Sequence, residues 1–489
     1  MRHDSLPFPA ARILPCAAHT RAPARALALL IAALAGCTAG APVDFAERGL
    51  GEVPAQFASA SPHAAAPVDD DWIATFEDRT LRVLIAEAMA RNPDLAVAAA
   101  RWEEATHRIG VARSLLLPQV QATTSAGGSD AGALTGARGD HAVGAQAGWE
   151  IDLWGRLRSG VRAAGERAQA ARLDLEQARL SLAASVAESW ILAIAARQKL
   201  DIDRDLLEAE RRTARIVRDK VETGIGTQLE GELSDANLAA AKASVTRDEA
   251  ALQELVKALE ALLGRYPSAE LALARELPRL PGRPTVGVPS GLLERRPDIA
   301  AADRRVAEAF HEREAARAAR LPQLTLTASM GSLIDPSAAI WSLGSNLLAP
   351  VLTGGRLKAE EKIAGARQQQ ALASYVDIAI EAFREVETAL ANEQYLARRH
   401  AELEEAATRM SNASRIANDR YEAGIQTIVE LMVVRRQDFE IRGQLLQVRT
   451  DRLRQRLALH RALGGRFDTA TTAVAPAPAD AWQGSRASR

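Results

Sequence analysis

One proline-containing pattern occurs twice in this chain of 489 residues and constrains its fold more than any other feature. Pro93-Asp94 begins a stretch that ends in Leu117-Pro118-Gln119, and Pro297-Asp298 begins another that ends in Leu321-Pro322-Gln323. In both copies the two prolines are 25 residues apart, and the copies are offset by 204 residues. An internal offset of this kind indicates a duplicated structural unit.

Three further matches support the duplication at an offset of 200 residues. One insertion or deletion of four residues explains both offsets, and agreement at five places is not expected by chance. The chain is therefore predicted to contain two tandem copies of one unit. The matching pairs are Gly155-Arg156-Leu157 with Gly355-Arg356-Leu357, Gly224-Ile225 and Thr227 with Gly424-Ile425 and Thr427, and Leu263-Gly264 with Leu463-Gly464.

Each copy is predicted to form one very long helix and two shorter ones. The longest runs over about 67 residues without a proline and would span roughly 100 Å. A short helix of about 25 residues and a return helix of about 37 residues together nearly match that length. We therefore expect the two shorter helices to stack end to end beside each long one. The predicted bounds are 93–117, 156–222 and 227–263 in the first copy, and 357–423 and 427–463 in the second.

Two short segments with alternating apolar and polar residues follow the shorter helix in each copy. Val120 and Ala122 alternate with glutamine and threonine, and Leu324 and Leu326 begin the same pattern in the second copy. The last segment has a less clear period. An apolar face opposite a polar face is typical of strands in an outer-membrane barrel. Candidates for the aromatic girdle of such a barrel are Trp149, Trp154 and Trp341.

Four strands are too few to close a membrane barrel, because the smallest such barrels have about eight strands. An open strand edge is not tolerated in lipid. The strands must therefore pair with those of other copies of the chain, so at least two copies are required. The alternative is a soluble sandwich, for which the two hairpins have no partner sheet. No other apolar run approaches about 18 residues, so no membrane-spanning helix is expected.

The N-terminus has the features of a bacterial lipoprotein signal peptide. Arg21 and Arg25 precede an apolar run over residues 26–35, which is too short for a transmembrane helix. Leu34-Ala35-Gly36-Cys37 follows and resembles a lipobox, in which the cysteine is lipidated and becomes the first mature residue. The alternatives are an ordinary signal peptide with a chance cysteine and a start codon after Met1. A covalent lipid on Cys37 is expected, and no cofactor.

Composition and charge argue against several other functions. The formal net charge is −1 with both signs interspersed, so no basic stripe indicates nucleic-acid binding. Loss of the signal peptide removes Cys16 and leaves no disulfide or cysteine metal site. The eight histidines have no metal-ligand spacing, and Gly224-Ile225-Gly226 follows no strand. No nucleophile elbow is present. We therefore expect no catalytic residue, no metal site and no enzymatic activity.

Six segments follow from these patterns. Five prolines between Tyr266 and Pro297 indicate a crossover between the copies at mid-height. The residues after Cys37 are predicted to be a flexible tether, and the Ala-, Thr- and Pro-rich C-terminus to be disordered. The boundaries are 1–36 for the lipoprotein signal peptide, 37–71 for the lipid-anchored tether, 72–265 for the first repeat, 266–296 for the crossover, 297–467 for the second repeat and 468–489 for the tail.

Several motifs resemble those of the TolC-like outer membrane factors, in the branch of NodT-type and OprM-type efflux lipoproteins. The resemblance covers about Trp72 to Phe467, and its most specific parts are the Arg-Arg-Pro-Asp block and the glycine hairpins at matched offsets. The motifs are Leu292-Leu293-Glu294-Arg295-Arg296-Pro297-Asp298-Ile299 with Ala301, Ala302 and Arg304-Arg305-Val306, Leu321-Pro322-Gln323, Ile151-Asp152-Leu153-Trp154-Gly155-Arg156, and Arg420-Tyr421-Glu422-Ala423-Gly424.

The resemblance implies a mainly α channel-tunnel with a membrane β part, in which each repeat contributes a β-hairpin and long antiparallel helices. A homotrimer would form a twelve-stranded barrel in the outer membrane and a tunnel of twelve helical rods in the periplasm. The tunnel would dock on a periplasmic adaptor, also called a membrane fusion protein, and on an inner-membrane efflux pump. Small molecules such as drugs or toxic compounds would leave passively, because the pump supplies the energy.

The resemblance also implies a gate at the periplasmic tip. Family members narrow the pore there with an acidic side chain just after the hairpin glycine, and Glu230 and Glu430 each follow their glycine by six residues. A second acid often lies one turn further on, where this chain has Leu233 and Val433. A double acidic ring is therefore not expected. The alternative is that both glutamates are solvated residues on a helix surface.

Two further groups of residues are candidates for function. If the strand alternation holds, Glu150 and Asp152 face the barrel lumen and favour cations. The hairpin tips are candidates for contact with the adaptor, although their glycines end helices in either case. The tip residues are Gly224, Thr227, Gly424 and Thr427.

Two other interpretations remain open on the sequence alone. A periplasmic adaptor or a structural coiled-coil lipoprotein would also combine helical hairpins with a lipid. Neither would place amphipathic strand pairs between long helices twice. Within the duct class, an exit for protein secretion is the alternative to an exit for small molecules, which the lipobox and the efflux-type motifs favour.

Overall fold

The chain folds into long helices joined to one small sheet. The computed structural model describes residues 53–59, 71–127, 140–333 and 339–465. The predicted signal peptide, Cys37, most of the predicted tether and the predicted C-terminal tail lie outside these residues.

The two repeats contain corresponding elements in the same order. The first repeat comprises α1 (Trp72–Thr75), α2 (Arg79–Arg91), α3 (Pro93–Ser114), β1 (Gln119–Gly127), β2 (Asp140–Ile151), α4 (Arg156–Glu222) and α5 (Gln228–Leu262). The second part of the chain comprises α6 (Pro289–Arg295), α7 (Pro297–Ala318), β3 (Gln323–Leu333), β4 (Ala339–Leu348), α8 (Arg356–Glu422) and α9 (Ile428–Ala462).

The helix lengths confirm the duplication. The short helices α3 and α7 each have 22 residues, the long helices α4 and α8 each have 67, and the return helices α5 and α9 each have 35. Every long or return helix ends within one residue of its predicted end. The helix predicted to reach Leu117 ends at Ser114 and continues as a tighter turn, in which the backbone nitrogens of Leu116 and Leu117 donate to the carbonyl oxygens of Arg113 and Ser114.

The short and return helices stack end to end, as predicted, through equivalent hydrogen bonds. In the first repeat, Asn92 donates from Nδ2 to the carbonyl oxygen of Leu262 at 3.0 Å. In the second repeat, Arg296 donates from Nη1 to the carbonyl oxygen of Ala462 at 3.3 Å. Each side chain thereby satisfies one of the free carbonyls that a helix C-terminus leaves. The Arg-Arg-Pro-Asp block therefore forms a structural joint.

Four helical columns lie side by side in each chain. The column of α3 and α5 packs on α4, and the column of α7 and α9 lies between α4 and α8. Two apolar clusters at the level of the joints hold the columns together. The first is centred on Trp190, Ile194 and Leu259, and the second on Tyr375, Val386 and Leu463.

The structure corrects one expectation about apolar segments. Helix α4 contains an 18-residue window that is apolar enough, by length and composition, to span a membrane. Half of that window is buried against the rest of the chain. The apolar residues of α4 between Leu182 and Ile194 belong to the first cluster, so core packing accounts for their composition.

Three short helices were not predicted. Asp78 caps the start of helix α2, since its Oδ1 accepts a hydrogen bond from the backbone nitrogen of Leu81 at 3.1 Å. The apolar spacing of Leu81, Leu84, Ile85 and Ala88 could have revealed it. Helix α1 precedes it, and α6 lies inside the predicted crossover segment.

The rest of the crossover is held by a buried carboxylate. Glu260, which is 2% exposed, accepts hydrogen bonds from the backbone nitrogens of Ala269, Glu270 and Leu271 at 2.7–3.0 Å. Ala269 has a φ of +64°, and these hydrogen bonds support that left-handed geometry. The crossover is therefore an ordered part of the mid-level core.

Part of the predicted tether also packs on the body of the protein. Phe57 is 5% exposed within the second cluster. The backbone nitrogens of Ala58 and Ser59 donate to the two carboxylate oxygens of Glu387 at 2.7 and 3.0 Å. The prediction of a flexible tether is therefore wrong for residues 53–59, because an aromatic anchor and a paired carboxylate fix them to α8.

Candidate functional site

The four strands form one antiparallel sheet in the order β1-β2-β3-β4, and its register separates apolar from polar rows. The predicted alternation therefore holds in β1 to β3, whereas in β4 Ser345 lies on the apolar face opposite Leu326 and Leu348 lies on the polar face opposite Gln323. Two apolar rows are Val120, Ala147, Ala328 and Leu343, and Ala122, Ala145, Met330 and Trp341. Two rows on the opposite face are Gln119, Gly148, Thr327 and Gly344, and Gln121, Gln146, Ser329 and Ser342.

No other described residue covers the apolar face of this sheet. Val120, Trp341 and Leu343 are 72%, 78% and 76% exposed. A contiguous apolar face of this kind is costly in water and is favourable against lipid hydrocarbon. The face is therefore suited to the membrane.

Both edges of the sheet are open in the described part of the chain. Strand β1 pairs with β2 and β4 pairs with β3, and neither edge strand has a second partner there. Backbone groups left unpaired in hydrocarbon cost several kcal/mol each. The edges therefore require strands from other chains.

Two of the three candidate girdle residues lie toward opposite ends of the sheet. Trp149 lies two residues before the end of β2, and its Nε1 donates to the carbonyl oxygen of Leu116 at 2.9 Å. Trp341 lies near the start of β4. Trp154 follows the sheet and donates to the carbonyl oxygen of Pro322 at 2.7 Å. Their location at a membrane interface stays a prediction.

The two acidic residues predicted for the lumen make different contacts. Glu150 lies on the polar face in a row with Thr325 and Asn346. Its carboxylate accepts from Nε and Nη2 of Arg156 at 3.1 and 2.6 Å. This paired charge attracts a passing cation less than a free carboxylate would.

Asp152 lies one residue beyond β2 and caps the long helix α4. Its carboxylate accepts hydrogen bonds from the backbone nitrogens of Leu157 and Arg158 at 3.1 and 2.9 Å, and from Nε of Arg158 at 3.0 Å. A carboxylate at a helix N-terminus satisfies free amides and matches the helix dipole. Its side chain is 8% exposed, so this contact defines its local role.

At the far end of the long helices, two matching hairpins form the tips. Gly224 and Gly424 both have a φ of +75°, a left-handed geometry that glycine adopts at low cost. The backbone nitrogens of Ile225 and Ile425 donate hydrogen bonds of 2.9 Å to carbonyl oxygens in the last turn of the preceding helix. Ile225 and Ile425 are 80% and 68% exposed. Each tip thus presents an apolar side chain on a rigid turn.

The predicted gate residues start the return helices. Glu230 accepts from the backbone nitrogen of Thr227 at 2.8 Å, and Glu430 from that of Thr427 at 3.1 Å. Each threonine hydroxyl accepts a hydrogen bond from the backbone nitrogen of its glutamate at 3.3 Å. This reciprocal pattern is a capping box. The glutamates therefore have a structural role in addition to any role in a pore.

A buried arginine near the tips joins three helices, and the sequence analysis missed it. Arg435 of α9 donates to Oγ1 of Thr213 at 2.7 Å and to Oδ1 of Asn418 at 3.2 Å. Its Nη1 lies 3.6 Å from Oε1 of Glu210. Burial raises the pKa of Glu210 and lowers that of Arg435. The helical spacing could have indicated its burial, because Arg435 follows Ile428 by seven residues on the buried side of α9.

The candidate residues therefore lie in two separate regions. Glu150 and Asp152 lie at the base of the sheet, whereas Glu230, Glu430 and the tip glycines lie at the other end of the 67-residue helices. In the described residues, no group of three or more His, Cys, Asp or Glu side chains could hold a metal ion. The arrangement is that of a membrane segment joined to a long helical body.

Comparison with known proteins gives a consistent result. The chain matches the family described as "Outer membrane efflux protein" over residues 84–265 and 288–465. The pyoverdine export outer membrane protein OpmQ of Pseudomonas putida is 33% identical over 84% of this chain and 91% of that protein. The probable outer membrane lipoprotein SilC of Salmonella typhimurium is 27% identical over 88% of this chain and 96% of its own length.

The solved structures agree with this relationship. The outer-membrane channel OprN superposes with a TM-score of 0.78 at 26% identity, covering 88% of this chain and 99% of OprN. The open sheet and the duplicated helices define a subunit of an outer-membrane channel-tunnel. The chain belongs to the outer membrane efflux protein family, and it is an outer-membrane component of an efflux system. This family membership favours the exit-duct interpretation over the adaptor interpretation.

Proposed function

We propose that three copies of this chain form one sealed exit duct. The observation that carries the proposal is the four-stranded sheet with an uncovered apolar face and two open edges. Three such sheets give twelve strands, enough to close a barrel that encloses a water-filled lumen. The polar face then lines the lumen, and no edge remains in lipid.

The duct acts passively within a larger assembly. A periplasmic adaptor and an inner-membrane pump deliver small molecules to it, and the pump supplies the energy. The rigid tips, with Ile225 and Ile425 exposed, are proposed as the surfaces that meet the adaptor. Exposed apolar side chains on ordered turns are suited to anchor such a contact.

Lipidation at Cys37 fixes the N-terminus to the outer membrane. The proposal rests on Leu34-Ala35-Gly36-Cys37 after a short apolar run. Residues 53–59, which follow Cys37 in the chain, pack on the helical body through Phe57 and the hydrogen bonds to Glu387. The lipid and the strands then attach each subunit to the membrane at two points.

Electrophoresis and conductance test the duct together. Protein purified in detergent should migrate without heating at roughly three times the mass of the processed chain, and as the monomer after boiling. The same oligomer should give discrete conductance steps in a planar bilayer. A water-soluble monomer without conductance would contradict the proposal. An oligomer without conductance would support the proposed assembly and contradict an open path through it.

A further inference from the structure

A groove at the level of the helix joints lies between α4, α8 and α9. It has a volume of about 630 Å³. Tyr395 contributes an aromatic ring that is 63% exposed, with the guanidinium of Arg398 5.0 Å from its centroid. Leu396 and Leu457 add apolar surface. The size and mixed lining suit a small organic molecule.

The position of the crossover segment indicates whether this groove faces the lumen or the outside of the proposed tunnel. Arg456 donates to the carbonyl oxygens of Pro281 and Gly282, so the crossover covers one face of α9. The groove residues Asp451, Arg454 and Ala458 lie on the opposite face of the same helix. A crossover inside a duct would obstruct it. In the proposed tunnel, the groove therefore faces the lumen.

Some of the arginine side chains that line the groove form ion pairs, and others do not. Arg454 contacts both carboxylates, with Nη2 2.6 Å from Glu188 and Nη1 3.8 Å from Asp451. Arg399 and Arg461 also line the groove, are exposed, and form no ion pair with any other described residue. Two guanidinium groups are therefore available to a ligand. Arginine binds carboxylates and similar oxyanions through paired hydrogen bonds.

We propose that this groove is a binding site for small aromatic anions in the lumen of the duct. Arg399 and Arg461 bind the anionic group, and Tyr395 contacts the aromatic ring. The site rests on the proposed function, since it specifies a class of molecule that the duct holds in passage. Three copies would place a basic ring at mid-height, whereas the tips carry Glu230 and Glu430. The electrostatic character of the tunnel therefore changes along its length.

Calorimetric titration of the purified full-length protein with salicylate tests the site. Salicylamide is the matched neutral probe, because it keeps the ring and hydroxyl and lacks the charge. The Arg399→Gln/Arg461→Gln double variant should bind salicylate roughly tenfold more weakly, or not at all. Arg409→Gln is the control, because Arg409 lies on the exposed surface of α8, the helix that carries Arg399, and pairs with Glu405. It should bind salicylate as the unmodified protein does.

Two results would overturn the proposal. Salicylamide could bind as tightly as salicylate, or the double variant could retain full salicylate binding. Circular dichroism of each variant establishes that a loss of binding is not a loss of fold. The binding assay does not depend on conductance. Salicylate binding by a protein that forms no duct would therefore support the binding site and contradict the exit function.

Discussion

His460 is buried in α9 and makes no hydrogen bond from either ring nitrogen to a described residue. Its ring is stacked against Trp72, with a centroid distance of 6.2 Å and an interplanar angle of 25°. Burial, and then the positive charge of Arg456, lowers the pKa of His460 to about 4. The histidine is therefore neutral in the folded protein at pH 6, where an unfolded histidine is mostly protonated.

We predict that His460 makes the protein sensitive to acid. Because the folded pKa lies below the unfolded value of 6.5, its contribution to stability is complete above pH 6.5 and is lost as the pH falls toward 4. The loss should be about 3 kcal/mol per chain. His460→Phe keeps a ring against Trp72 and removes the titration. Its urea unfolding midpoint should therefore change less between pH 7 and pH 4.5.

His107→Phe is the control for this measurement, because the His107 side chain is 80% exposed. It should retain the pH dependence of the unmodified protein. Equal pH dependence in all three proteins would show that His460 does not titrate as its environment indicates.

At the two joints between a short helix and a return helix, Asn92 and Arg296 occupy equivalent positions. Asn92 satisfies the end of α5 through a neutral amide, whereas Arg296 satisfies the end of α9 and also binds two carboxylates. Its Nη2 lies 2.6 Å from Asp298, and its Nη1 lies 2.6 Å from Glu385. Loss of Arg296 would leave these carboxylates without their cation.

Substitution of the two joint residues should therefore have unequal effects. Arg296→Ala should lower the free energy of unfolding by about 2–4 kcal/mol, because it leaves two partly buried carboxylates without their cation. Asn92→Ala should cost about 1–2 kcal/mol, the usual effect of losing a cap and a buried hydrogen bond. Urea denaturation of the purified protein measures both. A larger effect for Asn92→Ala would contradict this interpretation of the Arg-Arg-Pro-Asp block.

At the scale of the helix, each return helix begins with a capping box that contains the candidate gate residue. A substitution of Glu430 by alanine would remove the charge and the cap together. Two other substitutions separate these effects. Glu430→Gln keeps an oxygen that can accept the hydrogen bond from Thr427, and Thr427→Ala removes the hydroxyl and keeps the charge.

If Glu430 narrows the pore as a charged ring, Glu430→Gln should increase the single-channel conductance and reduce the preference for cations. Thr427→Ala should retain the cation preference and destabilise the start of α9 by about 1 kcal/mol. Planar-bilayer recording of both variants provides the measurement. An altered conductance in Thr427→Ala alone would indicate that Glu430 acts only as a helix cap.

At the scale of the whole molecule, the sheet and the proposed lipid on Cys37 are two separate attachments to the membrane. The sheet offers an apolar face, and Cys37 offers a site for a lipid. Residues 53–59 pack against the helical body through Phe57 and against α8 through the hydrogen bonds to Glu387. Neither attachment depends on a membrane-spanning helix.

Cells grown with radiolabelled palmitate should incorporate the label into the unmodified protein and not into Cys37→Ser. Cys16→Ser is the matched control and should be labelled normally, since Cys16 lies in the predicted signal peptide. The Cys37→Ser protein should still form oligomers, because the sheet edges are unchanged. Labelled Cys37→Ser protein would contradict the assignment of the lipid.

The repeat, the helix lengths and the strand alternation could all be derived from the sequence, because each depends on local periodicity. Proline and glycine determine where helices begin and end from the geometry of a few residues, so the bounds of α4 were predicted to the residue. The alternation of Val120 and Ala122 similarly reports a strand with two different faces.

The tertiary structure decided what depends on residues far apart in the chain. Phe57 docks beside Glu387, although 330 positions separate them in the sequence. The cap at Asp152, the buried Arg435 and the groove beside Arg399 arise from contacts between elements, which no local pattern encodes. Their charges acquire a role only when packing removes water from some of them and leaves others free to bind.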